Sequence, residues 1–163
     1  MLELTILDET RRFVEGIDQS PCDGCDECGA RCTAGVPMLR VEFEAIQAYL
    51  DSAEGADARR VERQNKQVPY PGTDPEVDAV FYQACRFRDV ERGRCSIYPV
   101  RPTVCRLFGH VEWLPCPIQK VLAPAPGGPA AMCRYGDAPQ NSYEAWLAET
   151  SSPTAPPPPA CSP

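Results

Sequence analysis

Four cysteines fall within eleven residues near the start of the chain, in the stretch CDGCDECGARC at positions 22 to 32. Their spacing, C-x2-C-x2-C-x3-C, is that of a bacterial ferredoxin run. Gaps of two residues let successive thiolates curl around one metal centre, whereas disulfides inside such a run would close small, strained loops. Three chemistries therefore compete for these thiols: an iron–sulfur cluster, zinc and, least favoured, disulfides.

The charge and composition of the chain bear on that choice. The net charge of −7 argues against general nucleic-acid binding, where neutralised phosphates supply most of the affinity, and against an anionic membrane surface. The N-terminus lacks the apolar block of a secretory signal, and no apolar run reaches the roughly eighteen residues of a spanning helix. We therefore expect a cytoplasmic protein with reduced thiols that bind metal, and a protein partner stays open.

A second set of cysteines is spread more widely, with gaps of nine, nine and ten residues. Residues 85–106 also hold six arginines and two acids, a local charge of +4 (6 − 2) in an acidic chain. Thiolate-ligated clusters are anionic, so nearby arginines would offset their charge. Arg101 and Arg106 are predicted to lie beside the centre in that role. The alternative is that these arginines are solvated or bind an acidic partner.

The segments CDECGARC and ACRFRDVERGRCSIYPVRPTVCRLFG resemble the CxxCxxCC cysteine-cluster family, the YkgJ-like proteins described as zinc- or iron-chelating domains. That family's pattern is a C-x-x-C-G-x-C-C run, a helix, a C-x-(F/L) site and a G-R-C-x-I-Y-x-x-R-P-x-x-C-R-x-F motif. The resemblance covers about residues 22 to 110. The matching positions are Cys25, Cys28, Gly29 and Cys32, then Cys85 and Phe87, then Gly93, Arg94, Cys95, Ile97, Tyr98, Arg101, Pro102, Cys105, Arg106 and Phe108.

The chain departs from this pattern at two places. Arg31 stands where the family has the first cysteine of its CC pair, and Cys22, one CxxC step upstream, is a candidate replacement for that thiol. Gly109 follows Phe108, where the family more often has proline. The resemblance extends to the flagellin lysine methylases, which carry a similar cysteine domain in much longer chains.

We predict that the metal ligands come from both segments. Three close cysteines with a remote fourth are the usual arrangement for one [4Fe–4S] cluster, but eight thiols could equally make two zinc sites of four ligands. The lone histidine, His110, could be a ligand or a proton shuttle, but beside Phe108 and Trp113 it is interpreted as structural. Cys133 and Cys161 lie outside the motif, and Cys161 is interpreted as unliganded. The predicted metal ligands are Cys22, Cys25, Cys28, Cys32, Cys85, Cys95, Cys105 and Cys116.

Three functions are compatible with such a centre. The first is a soluble metal-binding protein that holds an iron–sulfur cluster or zinc. The second, implied by the methylase resemblance, is an enzyme or enzyme subunit that uses the cluster. The third is an interaction module with structural zinc. No catalytic residue can be named from the sequence, because no cysteine–histidine pair with a third orienting group is evident.

The sequence pattern predicts a small single domain that positions these residues. We expect it to be α-rich, with short irregular strands, and to be organised around the metal centre. This domain covers residues 1–149, and residues 150–163 form a disordered proline-rich tail. The expected elements are a helix from Asp8 to about Gln19, one or two helices over 41–64 with a stop near Gly55, a loop at 67–77, strands at 81–87 and 94–98 around a turn at 91–94, a short helix at 101–109, a flexible connection at 124–130 and a helix at 142–150 capped by Ser142.

Overall fold

The computed structural model describes residues 2–22, 25–70, 80–121 and 123–151. Helices dominate this part of the chain, which confirms the predicted α-rich class. Two single 3₁₀ turns, Ser20–Cys22 and Tyr98–Val100, accompany them. The α-helices are α1 (Leu2–Glu15), α2 (Glu27–Ala30), α3 (Arg40–Asp51), α4 (Ala56–Glu62), α5 (Thr103–Leu107), α6 (Gly128–Gly136) and α7 (Tyr143–Ser151).

The strands of the described residues are two or three residues long and form antiparallel pairs. The link at residues 90–93 joins two of them into a hairpin, one residue upstream of the predicted turn. Cys95 ends this hairpin, so its thiol is carried by a fixed element. The pairs are β1 (Pro37–Leu39) with β8 (Gln140–Ser142), β2 (Gln67–Pro69) with β3 (Phe81–Gln83), β4 (Arg88–Asp89) with β5 (Arg94–Cys95), and β6 (His110–Val111) with β7 (Leu114–Pro115).

The main apolar core forms where α3 and α7 meet the β4–β5 hairpin. The ring of Phe87 meets that of Tyr143 edge-on, with centroids 4.8 Å apart, and the indole of Trp146 donates a hydrogen bond to the Met38 carbonyl at 2.9 Å. Cys85 and Cys95 pack against this cluster. The buried members of the cluster are Met38, Phe43, Ile46, Leu50, Ala58, Phe87, Ile97, Tyr143 and Trp146.

A buried carboxylate fixes α5, the helix that carries Cys105. The Glu42 side chain accepts hydrogen bonds from the Leu39 amide at 3.0 Å and from the amide and hydroxyl of Thr103, both at 2.7 Å. The hydroxyl of Tyr135 in α6 also donates to it. Because a buried carboxylate is costly unless its oxygens are satisfied, this network ties the starts of α3 and α5 to α6.

Two predicted helix boundaries are wrong. The first helix runs from Leu2 to Glu15, so Asp8 lies inside it. The apolar repeat continues upstream of Asp8 through the buried Ile6 and Leu7, and no helix breaker precedes them. Of the two helices over 41–64, α3 ends at Asp51, and Gly55 precedes α4 instead of ending α3.

The segments predicted to be irregular hold regular structure. Helix α6 begins at Gly128, inside the predicted connection at 124–130. Gly127 adopts φ 85°, which glycine allows, and Pro129 is tolerated in the first turn of a helix. Strand β2 likewise occupies the start of the predicted loop at 67–77, because β3 supplies its partner.

The last helix confirms its prediction. Its first residue is Tyr143, and the Oγ of Ser142 accepts the Ala145 amide at 3.2 Å, as an N-cap residue does. The short helix predicted at 101–109 is α5, with Pro102 directly before it. The proline-rich stretch after Ser151, with Cys161, lies outside the described residues. Among the described helices, none has both the length and the apolarity needed to cross a membrane.

Candidate metal centre

The fold divides the eight cysteines of the two sequence segments between two neighbouring cavities. One cavity, of about 330 Å³, is called the large cavity, and the other, of about 50 Å³, the small cavity. Cys28 and Cys95 line both, so the two spaces share a wall. We group these shared residues with the cysteines nearest to them in each lining. The large-cavity group is Cys32, Cys85, Cys95 and Cys105, and the small-cavity group is Cys22, Cys25, Cys28 and Cys116 together with His110.

A short backbone pairing brings the two segments together at the large cavity. The Cys85 amide donates to the Cys32 carbonyl at 3.0 Å, and Thr33 and Ala84 form an isolated antiparallel bridge. This pairing brings the thiols of Cys32 and Cys85 close enough for each to shift the pKa of the other. Residues more than fifty positions apart in sequence are therefore side by side, as the sequence predicted for the two cysteine sets.

Burial sets the acidity of two thiols in the large cavity. It raises the pKa of the Cys95 thiol to about 11, and it also raises the pKa of Cys105. Between the other two, the interaction with Cys85, together with burial, raises the pKa of Cys32, whereas the same interaction lowers the pKa of Cys85 to about 7. Cys32, Cys95 and Cys105 therefore resist deprotonation unless a cation offsets their charge, and a bound metal would supply one.

The small cavity holds a contact that the sequence did not reveal. The Sγ of Cys22 lies 3.3 Å from the Nε2 of His110, across 88 residues of chain. His110 starts β6 and is buried, and burial lowers the pKa of its imidazole. The available signal was that the only histidine stands six residues before Cys116. That proximity says nothing about Cys22, so the sequence alone does not predict this contact.

Cys116 sits in a turn whose backbone amides face its sulfur. Hydrogen bonds from Val121 and Ile118 and, to a smaller extent, from Lys120 and Gln119 lower the pKa of the Cys116 thiol. Gln119 has φ 57°, the sole positive φ among the described non-glycine residues. The turn thus favours a thiolate at Cys116.

The thiol of Cys28 faces the other cysteines of the small cavity. Burial raises its pKa to about 11, and the thiols of Cys116, Cys22 and Cys25 act in the same direction. The sequence spacing grouped Cys116 with Cys105. The fold instead brings it to the cysteines of the first segment.

The two arginines singled out from the sequence make different contacts. Arg101 lines both cavities, and its guanidinium stacks on the ring of Tyr98 at 4.0 Å. Its charge acts to lower the pKa of the nearby thiols, against the effect of burial. Arg106 donates to the carbonyls of Arg101 at 3.1 Å and Pro99 at 2.8 Å, so it supports the backbone of this loop.

Other arginines of the second segment pair with acids. Arg86 contacts Glu62 at 2.7 Å, and Arg92 contacts Asp89 at 3.2 Å. The positive charge of residues 85–106 is thus partly neutralised away from the thiols.

The donor chemistry of both cavities suits thiophilic metals. Thiolate ligands select zinc, iron–sulfur clusters and Cu(I), and imidazole adds a second zinc ligand type. Within residues 2–22, 25–70, 80–121 and 123–151, no three cysteine, histidine, aspartate or glutamate side chains already stand around one metal position. The thiols line the cavity walls instead of meeting at a point, so binding a single ion requires them to close inward.

Comparison with known proteins identifies the chemistry of this arrangement. The CxxCxxCC family model, described as a "Putative zinc- or iron-chelating domain", matches residues 21–136. The matched range contains all eight cysteines of the two cavities and His110. No solved structure matches this chain.

Proposed function

Because the chain belongs to the CxxCxxCC family of zinc- or iron-chelating domains, we propose that it is a metal-binding protein whose large cavity holds a [4Fe–4S] cluster. The proposed ligands are Cys32, Cys85, Cys95 and Cys105. The observation that carries the proposal is that these four thiols line one cavity of about 330 Å³. Four cysteine thiolates are the usual ligands of such a cluster.

The size of the cavity supports a cluster over a single ion. Zinc draws its four sulfurs to about 2.3 Å from one point, and no such convergence is present among the described residues. A cluster instead spaces its ligands around a cube of iron and sulfide. This division of ligands differs from the one that the spacing favoured, since one cysteine comes from the first segment and three from the second.

The walls of the large cavity suit an anionic cluster. Phe87, Ile97, Val104 and Leu114 give it an apolar lining, and apolar surroundings strengthen electrostatic interactions. Arg31 and Arg101 are the cations on this wall, and Arg31 is paired with Glu27, so Arg101 is the one whose charge faces the thiols. Its charge would offset that of the cluster, as hydrogen bonds and nearby charges do in other iron–sulfur sites.

A zinc ion at the same four thiols is the second candidate. The observation that favours it is the backbone pairing that places Cys32 and Cys85 side by side, because two adjacent cysteines can supply two corners of one tetrahedral zinc site. In that case the metal would be structural, with four thiolate ligands and no open position for a substrate.

Anaerobic purification followed by metal analysis, acid-labile sulfide analysis and an absorption spectrum tests this function. We expect a brown protein with about four iron and four sulfide per chain. The Cys105→Ser variant should lose most of the iron. Cys133→Ser is the matched control, because Cys133 is exposed and lines neither cavity. A colourless protein with zinc at these four thiols and no sulfide would contradict the cluster and favour the second candidate.

A further inference from the structure

We propose that Cys32 and Cys85 form a reversible thiol–disulfide pair: in the metal-free chain a peroxide joins their sulfurs, and a dithiol separates them again. The bond would remove two of the four proposed ligands of the large cavity and so block metal loading until it is reduced. This consequence rests on the proposed function of that cavity. The disulfide itself rests on the geometry of the backbone.

The two cysteines stand directly opposite each other on paired segments of the chain. Thr33 and Ala84 form an antiparallel bridge, so the residue before Thr33 faces the residue after Ala84. The Cys85 amide donates to the Cys32 carbonyl at 3.0 Å. Opposed residues of an antiparallel pair have Cα atoms about 4.5–5.5 Å apart. That separation falls inside the roughly 4.4–6.8 Å that disulfides span.

The side chains of this pair lie on one face, and the backbone at Cys32 has room to adjust. Opposed side chains share a face of a ladder, and both cysteines line the large cavity. Their Cβ atoms must approach by about 1 Å, from about 4.5–5.5 Å in a ladder to about 3.5–4.5 Å in a disulfide. The ladder ends here, because the Cys32 amide donates to the Gly29 carbonyl at 3.3 Å instead of crossing to Cys85. Cys32 can therefore move toward its partner without breaking the bridge.

The other two thiols of the large cavity are carried in a different way. Cys95 ends β5, where the residue opposite it across the hairpin is Arg88. Cys105 lies in α5. Neither has the opposed backbone that sets the distance between Cys32 and Cys85. The geometry thus favours one pairing among the four thiols of this cavity.

Hydrogen peroxide is an oxidant small enough to reach these thiols, because both cysteines are only half-buried. One sulfur, as its thiolate, attacks a peroxide oxygen, the O–O bond breaks, and a sulfenic acid and water form. The second sulfur attacks the sulfenic sulfur, the S–S bond forms, the S–O bond breaks, and a second water leaves with the remaining thiol proton. Two electrons pass from the sulfurs to one peroxide, so two thiols and one hydrogen peroxide give one disulfide and two waters.

Reduction restores the metal ligands. A thiolate of a dithiol attacks one sulfur of the disulfide, and the second thiol of the reductant resolves the mixed disulfide. Metal sites require deprotonated cysteines as ligands, and a disulfide offers none. Oxidation and metal binding at the large cavity therefore exclude each other.

The test adds equimolar hydrogen peroxide to the full-length chain after a chelator has removed its metal and the reductant has been withdrawn. Mass spectrometry of the tryptic peptides then identifies the bond, because Cys32 and Cys85 fall in separate peptides, 32–40 and 67–86, that contain no other cysteine. We expect these two peptides to be linked in the main disulfide product. Competing bonds give different masses, because one peptide, 95–106, holds both Cys95 and Cys105, and another, 13–31, holds the first three cysteines of the chain.

Variants and the loaded protein supply the controls. Cys32→Ser should abolish the linked peptides, and Cys133→Ser should keep them, because Cys133 is exposed and lines neither cavity. The metal-loaded protein should resist the same amount of peroxide. The oxidised chain should lose most of its iron and sulfide uptake and regain it after treatment with dithiothreitol. Far-UV circular dichroism before and after oxidation shows whether the chain stays folded.

Two results would overturn the disulfide. One is a set of other cysteine pairs with no preference for the linked peptides, and the other is a chain whose thiols all remain open to alkylation. The linked peptides with unchanged metal uptake would overturn the block on metal loading, since Cys32 and Cys85 would then not both be ligands. If the protein proves to hold zinc and no cluster, the linked peptides should still form. Failure of the proposed cluster is thereby distinguished from failure of the disulfide.

Discussion

Cys95 in the large cavity and Cys116 in the small cavity are the same residue type held in opposite ways. Cys95 is partly buried beside the main core, and burial raises its pKa to about 11. In the small cavity, backbone amides lower the pKa of Cys116, which lies in a turn. Burial opposes a thiolate and amides favour one. The surroundings of a cysteine, more than its spacing in the sequence, therefore decide how readily it serves as a ligand.

This difference has a consequence for metal binding. The thiols of the large cavity need a metal or a nearby cation to offset the charge that they acquire on deprotonation. At Cys116 the turn provides part of that compensation before any metal binds, whereas burial opposes a thiolate at Cys28 in the same cavity. We therefore expect Cys95 to depend more strongly than Cys116 on a bound metal to become a thiolate.

The wall between the cavities is the place where one substitution should disturb both. Gly29 lies in α2 between Cys28 and the β4–β5 hairpin, and an added Cβ would stand 2.8 Å from the Arg94 Cα and from the Gly93 carbonyl oxygen. Both contacts are backbone atoms, so the helix and hairpin must move apart. We expect Gly29→Ala to lower the free energy of unfolding by about 1–3 kcal/mol and to reduce the bound metal.

Gly136→Ala is the matched control for this prediction. A Cβ at Gly136, the last residue of α6, would meet nothing within 4 Å. Replacing glycine by alanine in a helix is then neutral or stabilising by up to about 1 kcal/mol. Thermal unfolding and metal analysis of both variants make the comparison. If Gly29→Ala keeps its metal, metal binding does not depend on this wall.

The sequence was most informative where the signals were local. Ser142 predicted the start of α7, and Pro102 predicted the start of α5, because each acts within one helical turn of its own position. The family motif likewise identified the cysteines as metal-binding candidates. Helix α6 was missed because Gly127, Gly128 and Pro129 indicate a loop when their positions relative to a helix start are unknown.

The spacing of the cysteines in the sequence does not predict which of them line which cavity. The contact of Cys22 with His110 spans 88 residues. It exists because the β6–β7 hairpin packs beside the segment that follows α1. Cys116 follows the same hairpin, so the hairpin also carries it away from Cys105. No periodicity or gap length along the chain encodes that placement, since it results from packing between elements that are distant in sequence.

Two arginine variants separate two ways of stabilising the cavities. Arg101 places a positive charge near the thiols, whereas Arg106 forms hydrogen bonds to the backbone of the loop. Arg101→Gln removes the cation that faces Cys28, Cys95 and Cys105. We expect about tenfold weaker retention of the metal in the large cavity, the size typical of lost partners around a metal site. Competition with a chelator, followed by the iron absorption band, measures it.

Arg106→Gln should behave differently, because Arg106 donates only to backbone carbonyls in its resolved contacts. We expect a loss of about 1 kcal/mol in the free energy of unfolding with unchanged metal retention. If both arginine variants weaken metal binding equally, the positive charge of Arg101 has no special effect on metal retention.

The smallest effect is expected from removing the chain after Ser151. Residues 152–163 contain six of the nineteen prolines and one cysteine, Cys161, and a segment of this composition has few apolar side chains with which to pack. All the thiols of the two cavities precede it. We therefore expect the truncated protein to keep the metal content and the melting temperature of the full chain. Full-length Cys161→Ser is the control that separates the thiol from the segment. If both proteins lose metal, Cys161 is a ligand of one of the two cavities; if only the truncated protein does, the segment supports a cavity without ligating its metal.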